Sequence, residues 1–192
     1  MLKRVLKYVL RGVSLAVVFP SVSLCGFGRW AAMFEFFATG YAVVPGILGD
    51  FLRIAFYRFT LEECSLQSRV SFGTFFAHRQ ARLGKNVYIG SYCIIGRASI
   101  GDRTQIASGV QILSGRHQHA RGPEGRISGA DESAFIPVSI GADCWLGAAA
   151  VIMADVGAHS TIGAGSVVSR AIPAGSIAVG SPARVIKSTA DN

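Results

Sequence analysis

Four histidines are the side chains of this 192-residue chain best suited to acid–base chemistry. An imidazole titrates near neutral pH, so it can take a proton from a hydroxyl under working conditions. His117 and His119 fall in a polar, glycine-rich stretch, Ser114–Ile136, and are the candidates for a catalytic base. His78 and His159 lie outside it, and we expect them to be structural or to face solvent.

The stretch that holds His117 interrupts a repeat of six residues that begins at Leu83. Short strands with one inward aliphatic residue, each followed by a tight turn at a small residue, give this period. Such coils stack about 4.8 Å apart and are stable only as an array. An amphipathic helix lacks this period, and a β-sandwich would alternate in twos. The aliphatic positions are Leu83, Ile89, Ile95, Ile100, Ile106, Ile112, Ile140, Leu146, Ile152, Val156, Ile162 and Val168.

The repeat has three irregularities. The step from Ile95 to Ile100 is five residues, and the step from Ile152 to Val156 is four. Ser114–Ile136 breaks the pattern completely, which predicts a loop projecting from a rigid scaffold, where function often resides.

The amino-terminal third has a different composition, with a boundary near residues 61–72. Val13–Phe27 and Trp30–Gly49 are apolar, but neither gives a clean run of about 20 uncharged residues that a spanning helix needs. Phe51–Phe59 is amphipathic, with Arg53 near Tyr57. This order favours helices lying in a membrane interface. The alternative is a helical cap buried against the rest of the molecule.

Charge and cysteine usage narrow the classes of partner. The net charge of +8 suits an anionic membrane surface or a phosphorylated ligand. Nucleic acid is disfavoured, because no basic stripe interleaved with aromatic residues and no known binding motif is present. The cysteines form no CxxC pair, which predicts buried reduced thiols in a cytosol-facing protein. They are Cys25, Cys64, Cys93 and Cys144.

Four segments together resemble the hexapeptide-repeat acyltransferases, particularly the maltose/galactoside O-acetyltransferase and xenobiotic acetyltransferase branch. They are Ile112–His117, Ile140–Gly147, Ile162–Arg170 and Val179–Lys187. The amino-terminal third is similar to that of membrane-associated members acting on polysaccharides. The resemblance implies an all-β left-handed parallel β-helix, assembled as a homotrimer with active sites between subunits. It also implies acetyl-CoA as acyl donor and no metal.

The resemblance assigns roles around the thioester. His117 stands at the position of the catalytic base, with His119 as the fallback. Trp145 matches the tryptophan that helps to form the cofactor cleft. Ala148 stands where a backbone N–H faces the thioester oxygen, which needs no particular side chain.

The resemblance also assigns the rest of the CoA site. Ala164 and Ser169 match positions along the pantetheine arm. Arg170, Arg184 and Lys187 fall where basic residues would meet the phosphates of CoA.

The implied organisation has a helical membrane-associated segment, 1–65, and a β-helix domain, 66–192, with a projecting loop at 114–136 and a carboxyl-terminal extension at 171–192. We expect it at the cytoplasmic face of a bacterial inner membrane, peripheral or re-entrant. The expected acceptor is a sugar of a cell-envelope polysaccharide or lipid-linked glycan. Acceptor candidates are Tyr92, Arg97, Arg116, Arg121, Glu124 and Arg126.

Three alternatives stay open at this point. A γ-type carbonic anhydrase shares the fold but needs a zinc-binding His pair about five residues apart. An acyl-carrier-protein-dependent transferase acting on a lipid-A-like acceptor shares the fold and the histidine. A non-enzymatic trimeric scaffold would use the repeat only to present its loop.

Overall fold

Three helices precede the repeat: α1 (Leu2–Leu24), α2 (Ala31–Ala42) and α3 (Gly46–Thr60). The structure is a computed structural model that describes residues 2–115, 119, 124–129 and 135–188. A tight turn joins α1 to α2 through Gly28, where a side chain would lie 2.7 Å from the Thr60 carbonyl oxygen. The helical segment expected from the apolar composition is confirmed.

Short strands occupy most of the chain after the helices. Those within the described residues are β1 (Glu63–Cys64), β2 (Arg69–Val70), β3 (Phe75–Phe76), β4 (Arg82–Leu83), β5 (Tyr88–Ile89), β6 (Ile94–Ile95), β7 (Ala98–Ile100), β8 (Gln105–Ile106), β9 (Gln111–Ile112), β10 (Val138–Ile140), β11 (Trp145–Leu146), β12 (Val151–Ile152), β13 (Thr161–Ile162), β14 (Val167–Val168), β15 (Ser176–Val179) and β16 (Arg184–Ser188).

The strands form three sheets, and up to β15 consecutive strands lie in different sheets. Sheet A has the order β1-β4-β7-β10, sheet B the order β2-β5-β8-β11-β13-β15-β16, and sheet C the order β3-β6-β9-β12-β14. The pairs are parallel except β15 with β16. The chain is therefore a parallel β-solenoid with about five turns, as the six-residue period predicts. The left-handed coiling implied by the resemblance stays a prediction.

The solenoid begins one coil earlier than the predicted repeat. Cys64, Val70 and Phe76 are buried at six-residue spacing and pair in register with the inward residues of the next coil. The pattern was not visible in the sequence because Cys and Phe replace aliphatic residues here. The residues that follow are also not glycine. His78 therefore lies on the first coil of the solenoid, and the expectation that it precedes the repeat is wrong.

Two edges of the prism are built from regular turns. On the edge between sheets A and B (the A–B edge) and on that between B and C (the B–C edge), turn residues with a left-handed backbone recur from coil to coil. Apart from Asn86 and Gly73, each of their amides donates to a carbonyl of the coil beneath. On the A–B edge these are Asn86, Arg103, Asp143, His159 and Gly175; on the B–C edge they are Gly73, Tyr92, Gly109, Ala149 and Gly165.

The third edge, between sheets C and A (the C–A edge), varies in length. The irregular steps predicted from the sequence both fall here, and a second step of four residues joins Val168 to Ile172. Val156 nevertheless bridges both Ile140 and Ile172 in register, so the short steps leave the stack intact. The stretch between Ile112 and Val138 leaves the prism at this same edge.

The four cysteines are buried and in no disulfide, as predicted. Burial raises the pKa of Cys64 to about 12 and raises the pKa of Cys93 and Cys144. Their thiols therefore stay protonated at neutral pH and pack as small apolar groups.

Arg53 joins the helices to the solenoid, and its side chain is fully buried. Its Nε donates to the Val70 carbonyl (2.9 Å), one terminal nitrogen donates to the Val44 carbonyl (2.8 Å), and the other pairs with Asp50 (2.6 Å). Tyr57, on the same helix, is also buried. The amphipathic stretch on α3 therefore faces the solenoid instead of a membrane. For this helix, the alternative of a cap buried against the rest of the molecule is the correct one.

Replacing Arg53 with Leu would remove the side-chain donor of the Val44 and Val70 carbonyl oxygens and would leave the Asp50 carboxylate with Arg69 as its remaining ion-pair partner. We expect a loss of about 3–5 kcal/mol in the free energy of unfolding, measured by urea denaturation at fixed protein concentration. Arg82→Leu is the matched control, because it removes an exposed pair with Glu62 (3.1 Å) and should cost less than about 1 kcal/mol. Equal losses in the two variants would contradict the role of Arg53.

Candidate active site

The predicted base lies on the segment that leaves the C–A edge. His117 is outside the described residues, as are Arg116 and Arg121. His119 is described and exposed, with its Nδ1 3.1 Å from the Ser128 carbonyl oxygen. In the tautomer with hydrogen on Nδ1, this contact is a hydrogen bond and Nε2 is left as a proton acceptor. Glu124 and Arg126 pair with each other at 3.5 Å on the exposed part of the same segment.

A cluster on the C–A edge holds the segment where it returns. The Phe135 ring lies under the guanidinium of Arg97, 5.1 Å from its centroid, and 5.4 Å from the imidazole of His78. The Arg97 amide donates to the Ser114 hydroxyl (2.9 Å) where the chain departs. Sequence reasoning placed Arg97 in this region by coil position but missed Phe135. An aromatic residue just before the returning strand was the available signal.

Bare backbone lines the B–C edge at Ala148 and Ala164, which are exposed and on neighbouring coils. The Gly165 amide donates to the Ala148 carbonyl (2.8 Å), and a side chain at Gly147 would collide with the Ala164 amide nitrogen. No acceptor for the Ala148 amide hydrogen lies within the described residues. This edge therefore offers an unobstructed N–H donor beside small side chains.

Trp145 stands on the outer face of sheet B, with 58% of its surface exposed. It pairs in register with Thr161, which pairs with Ile177, which in turn pairs with Lys187 on β16. Three strand spacings, about 14 Å, separate Trp145 from Lys187. Arg184 is on the same last strand and is exposed, with its guanidinium donating to the Ala183 carbonyl (3.0 Å).

The predicted cofactor residues fall into two groups within one chain. Trp145, Ala148, Ala164, Arg184 and Lys187 lie on sheet B and the B–C edge, and we call them the cleft group.

Ser169 and Arg170 lie on the C–A edge, where the 114–136 segment departs. We call the C–A edge, with this segment, the base edge. The six residues from Ala148 to Met153 cross sheet C between the two edges, and their five residue steps span at most about 16 Å. A single chain therefore does not bring the cleft group and the base edge together.

The remaining described histidine, His159, is remote from both groups. It occupies a turn of the A–B edge and faces solvent, which is one of the two expected settings, with Nδ1 3.8 Å from an Asp143 carboxylate oxygen. Arg103 holds that carboxylate with two contacts of 2.7 and 2.6 Å, which lowers the pKa of Asp143. Among the described residues, no three His, Cys, Asp or Glu side chains are grouped closely enough to hold a metal ion.

Two family models match the solenoid. Residues 80–114 match the bacterial transferase hexapeptide (six repeats), and residues 137–170 match the hexapeptide repeat of succinyl-transferase. Nodulation protein L of Rhizobium leguminosarum bv. viciae is 47% identical over 109 residues, which cover 54% of this chain and 55% of that protein. The chain spans about half or less of the length of the first curated relatives that it matches.

Solved structures share the fold. A maltose O-acetyltransferase from Clostridium difficile 630 superposes with a TM-score of 0.68 at 25% identity, covering 83% of this chain and 88% of that one. A hexapeptide-repeat containing acetyltransferase from Vibrio cholerae gives a TM-score of 0.64 at 21% identity, covering 85% and 90%. That Vibrio protein has also been solved complexed with acetyl coenzyme A (TM-score 0.54, 22% identity, 82% and 89% covered). With the repeat, the three-sided prism and these matches together, the solenoid is of the bacterial hexapeptide-repeat transferase type over residues 80–114 and 137–170, and it shares its fold with these acetyltransferases.

Proposed function

We propose that this chain transfers an acetyl group from acetyl-CoA to a hydroxyl of a cell-envelope sugar, carried by a polysaccharide or a lipid-linked glycan precursor. The observation that carries the proposal is the exposed edge at Ala148 and Ala164, with small side chains, next to Trp145 on sheet B. Relatives named as acetyltransferases, and a fold neighbour complexed with acetyl-CoA, support the donor.

Acetyl transfer needs a base, an oxyanion donor and two substrates held in contact. In the proposed reaction His117 takes the proton of the acceptor hydroxyl as its oxygen attacks the thioester carbonyl. The Ala148 amide donates to the oxyanion of the tetrahedral intermediate. The intermediate collapses by breaking its carbon–sulfur bond, and the imidazolium returns the proton to the sulfur of CoA. The products are the acetyl ester and free CoA.

The donor would lie along the prism. Small residues at Ala164 and Ser169 leave room for the pantetheine arm beside the coil corners. Arg170, Arg184 and Lys187 are exposed cations near the carboxyl end and would hold the phosphates of CoA. Arg184 is suited to this because one terminal nitrogen bonds a carbonyl and its other N–H groups are directed elsewhere.

A site assembled between two chains accounts for the separation of the two groups. In a cyclic homotrimer each interface joins different surfaces of neighbouring chains. The base edge of one copy, with His117, would then face the cleft group of the next. Each chain would contribute once in each role, giving one site per interface.

The helical segment supports a location at a membrane. Helix α1 from Val5 to Leu24 is long and apolar enough to cross a bilayer by length and composition, which a core helix or a signal sequence can also satisfy. Much of its apolar surface is exposed, including Val9 and Val13, and Trp30 is 62% exposed at the start of α2. Basic residues precede this surface, so we propose attachment to anionic lipid at the cytoplasmic face of the inner membrane.

Removing the base should stop the reaction without preventing donor binding. We expect His117→Ala to lower turnover by about 10²–10⁴-fold and to leave the affinity for acetyl-CoA unchanged. Cells lacking the gene, complemented with each variant, are assayed for O-acetyl groups on surface glycans by mass spectrometry. Calorimetry with acetyl-CoA on the purified proteins supplies the binding readout.

His119→Ala is the matched control, since it removes an imidazole from the same segment. We expect its turnover to stay within a few-fold of that of the unmodified protein. Normal turnover in His117→Ala, with loss in His119→Ala, would move the base to His119, whose Nδ1 already meets a carbonyl oxygen. Normal turnover in both would contradict the mechanism, and stoichiometric zinc in the purified protein would contradict the transferase proposal.

The membrane attachment is tested on the exposed face of α1. We expect Val9→Asp with Val13→Asp to release the protein from vesicles containing anionic lipid, because burying two carboxylates in the interface is unfavourable. Cosedimentation with the vesicles measures this. Ile127→Asp, at an exposed apolar residue far from α1 in sequence, should sediment normally. Unchanged sedimentation of the double variant would contradict attachment through this face.

A further inference from the structure

A cavity of about 470 Å³ lies between α1, α3 and the first coil of the solenoid. Its apolar side is formed by Leu6 and Leu10 from α1 and by Ile47, Phe51 and Ile54 from α3. This size falls in the range of small-molecule sites, and a mostly apolar lining with a few polar groups is typical of them. The cavity is three coils away from the coil of Trp145 and contains none of the residues assigned to the proposed acetyl transfer.

The polar side of the cavity carries an excess of positive charge. Lys7, Arg11 and Arg69 line it, against the single carboxylate of Asp50. That carboxylate is already shared, since one oxygen lies 2.6 Å from a nitrogen of Arg53 and the other 2.7 Å from Nε of Arg69. The cavity is therefore electrostatically complementary to an anion.

The guanidinium groups of Arg11 and Arg69 each have more N–H donors than the contacts below use. Arg11 gives one terminal nitrogen to the Leu66 carbonyl (2.6 Å), and its Nε is buried without a hydrogen-bond partner within the described residues. The Nε of Arg69 pairs with Asp50, and the guanidinium carbon lies 5.7 Å from the centroid of the Tyr88 ring. A guanidinium has five N–H groups, so both can donate further bonds to a phosphate.

The apolar side continues outward onto the face of α1 proposed to meet the membrane. Leu6 is 55% exposed, and Val5, Val9 and Val13 lie exposed on the same helix. A hydrocarbon chain leaving the cavity along α1 would therefore stay in contact with apolar side chains. A ligand suited to both sides has an anionic head and an apolar tail.

We infer that this cavity binds a phosphate-bearing amphiphile, with the phosphate held by Lys7, Arg11 and Arg69 and the hydrocarbon chain on the apolar side. Two sources share this chemistry: a bilayer phospholipid, and the isoprenoid phosphate of a lipid-linked sugar. The inference goes beyond the proposed acetyl transfer and does not depend on it.

The second source would connect the cavity to the proposed reaction, and this step rests on the proposed function. Arg69 pairs in register with Tyr88, which pairs with Gln105, which pairs with Trp145 along the outer face of sheet B. The three strand spacings amount to about 14 Å. Sugars attached to a phosphate at Arg69 would extend along this row toward the cleft group.

The test uses the purified full chain and two phosphate amphiphiles below their micellar concentration, dihexanoyl phosphatidic acid and farnesyl phosphate. Farnesol and inorganic phosphate are the comparison ligands, and calorimetry measures each affinity. We expect saturable binding of at least one amphiphile at one per chain, and at least tenfold weaker binding of both comparison ligands. Preference for farnesyl phosphate assigns the lipid-linked source, and preference for phosphatidic acid assigns the bilayer source.

Charge reversal at a lysine that lines the cavity, and at one outside its lining, gives a matched pair of variants. We expect Lys7→Glu to weaken amphiphile binding about tenfold or more, and Lys85→Glu, an exposed lysine on the A–B edge, to leave it unchanged. The inference is overturned if neither amphiphile saturates, if inorganic phosphate binds equally well, or if the two variants weaken binding alike.

Acetyl-CoA affinity, measured on the same samples, separates this inference from the proposed function. Amphiphile binding without acetyl-CoA binding would contradict the transferase and support the cavity. Acetyl-CoA binding without amphiphile binding would contradict the inference about the cavity and support the transferase.

Discussion

The structure depends on the hydrogen bonds that each coil makes with the coils above and below it. Because strand amides and turn amides both bond across coils, a change of length within one coil would leave polar groups unpaired. The A–B and B–C edges are held to this rule by their stacked left-handed turns. The C–A edge is not, and steps of four, five and seven residues coexist there. An insertion can therefore leave the prism at that edge without disturbing the stack.

The same constraint explains why chemistry would be divided between edges. The variable edge can carry a projecting segment with a histidine, while the regular B–C edge near Trp145 offers backbone and small residues at Ala148 and Ala164. Sheet C separates these edges by five residue steps, which is at most about 16 Å. A rigid prism cannot close that distance by bending, so a second copy is the simplest way to bring the two edges into one site.

The sequence was sufficient for the solenoid and for the departure of the 114–136 segment, because inward residues at a six-residue period report directly on the stacking. It did not reveal the first coil, where Cys64 and Phe76 replace aliphatic residues. It also misplaced Arg53: an arginine on an amphipathic helix suggests a lipid surface, but the carbonyls that it binds come from two segments distant from it in sequence, the end of α2 and β2. The Phe135 contacts and the cavity are equally long-range, so no local pattern encodes them. The roles of the predicted site residues stay predictions.

Mixed trimers test the shared site most directly. His117→Ala removes the proposed base, and Ala164→Trp places a bulky ring among the residues of the cleft group. Each variant alone should therefore release almost no CoA from acetyl-CoA in the presence of cell-envelope glycans. When the two variants are co-expressed in equal amounts, we expect about one quarter of the activity of the unmodified trimer. About one interface in four then joins an intact base from one chain to an intact cleft group from the next. Absence of recovery in verified mixed trimers would contradict a site built between chains.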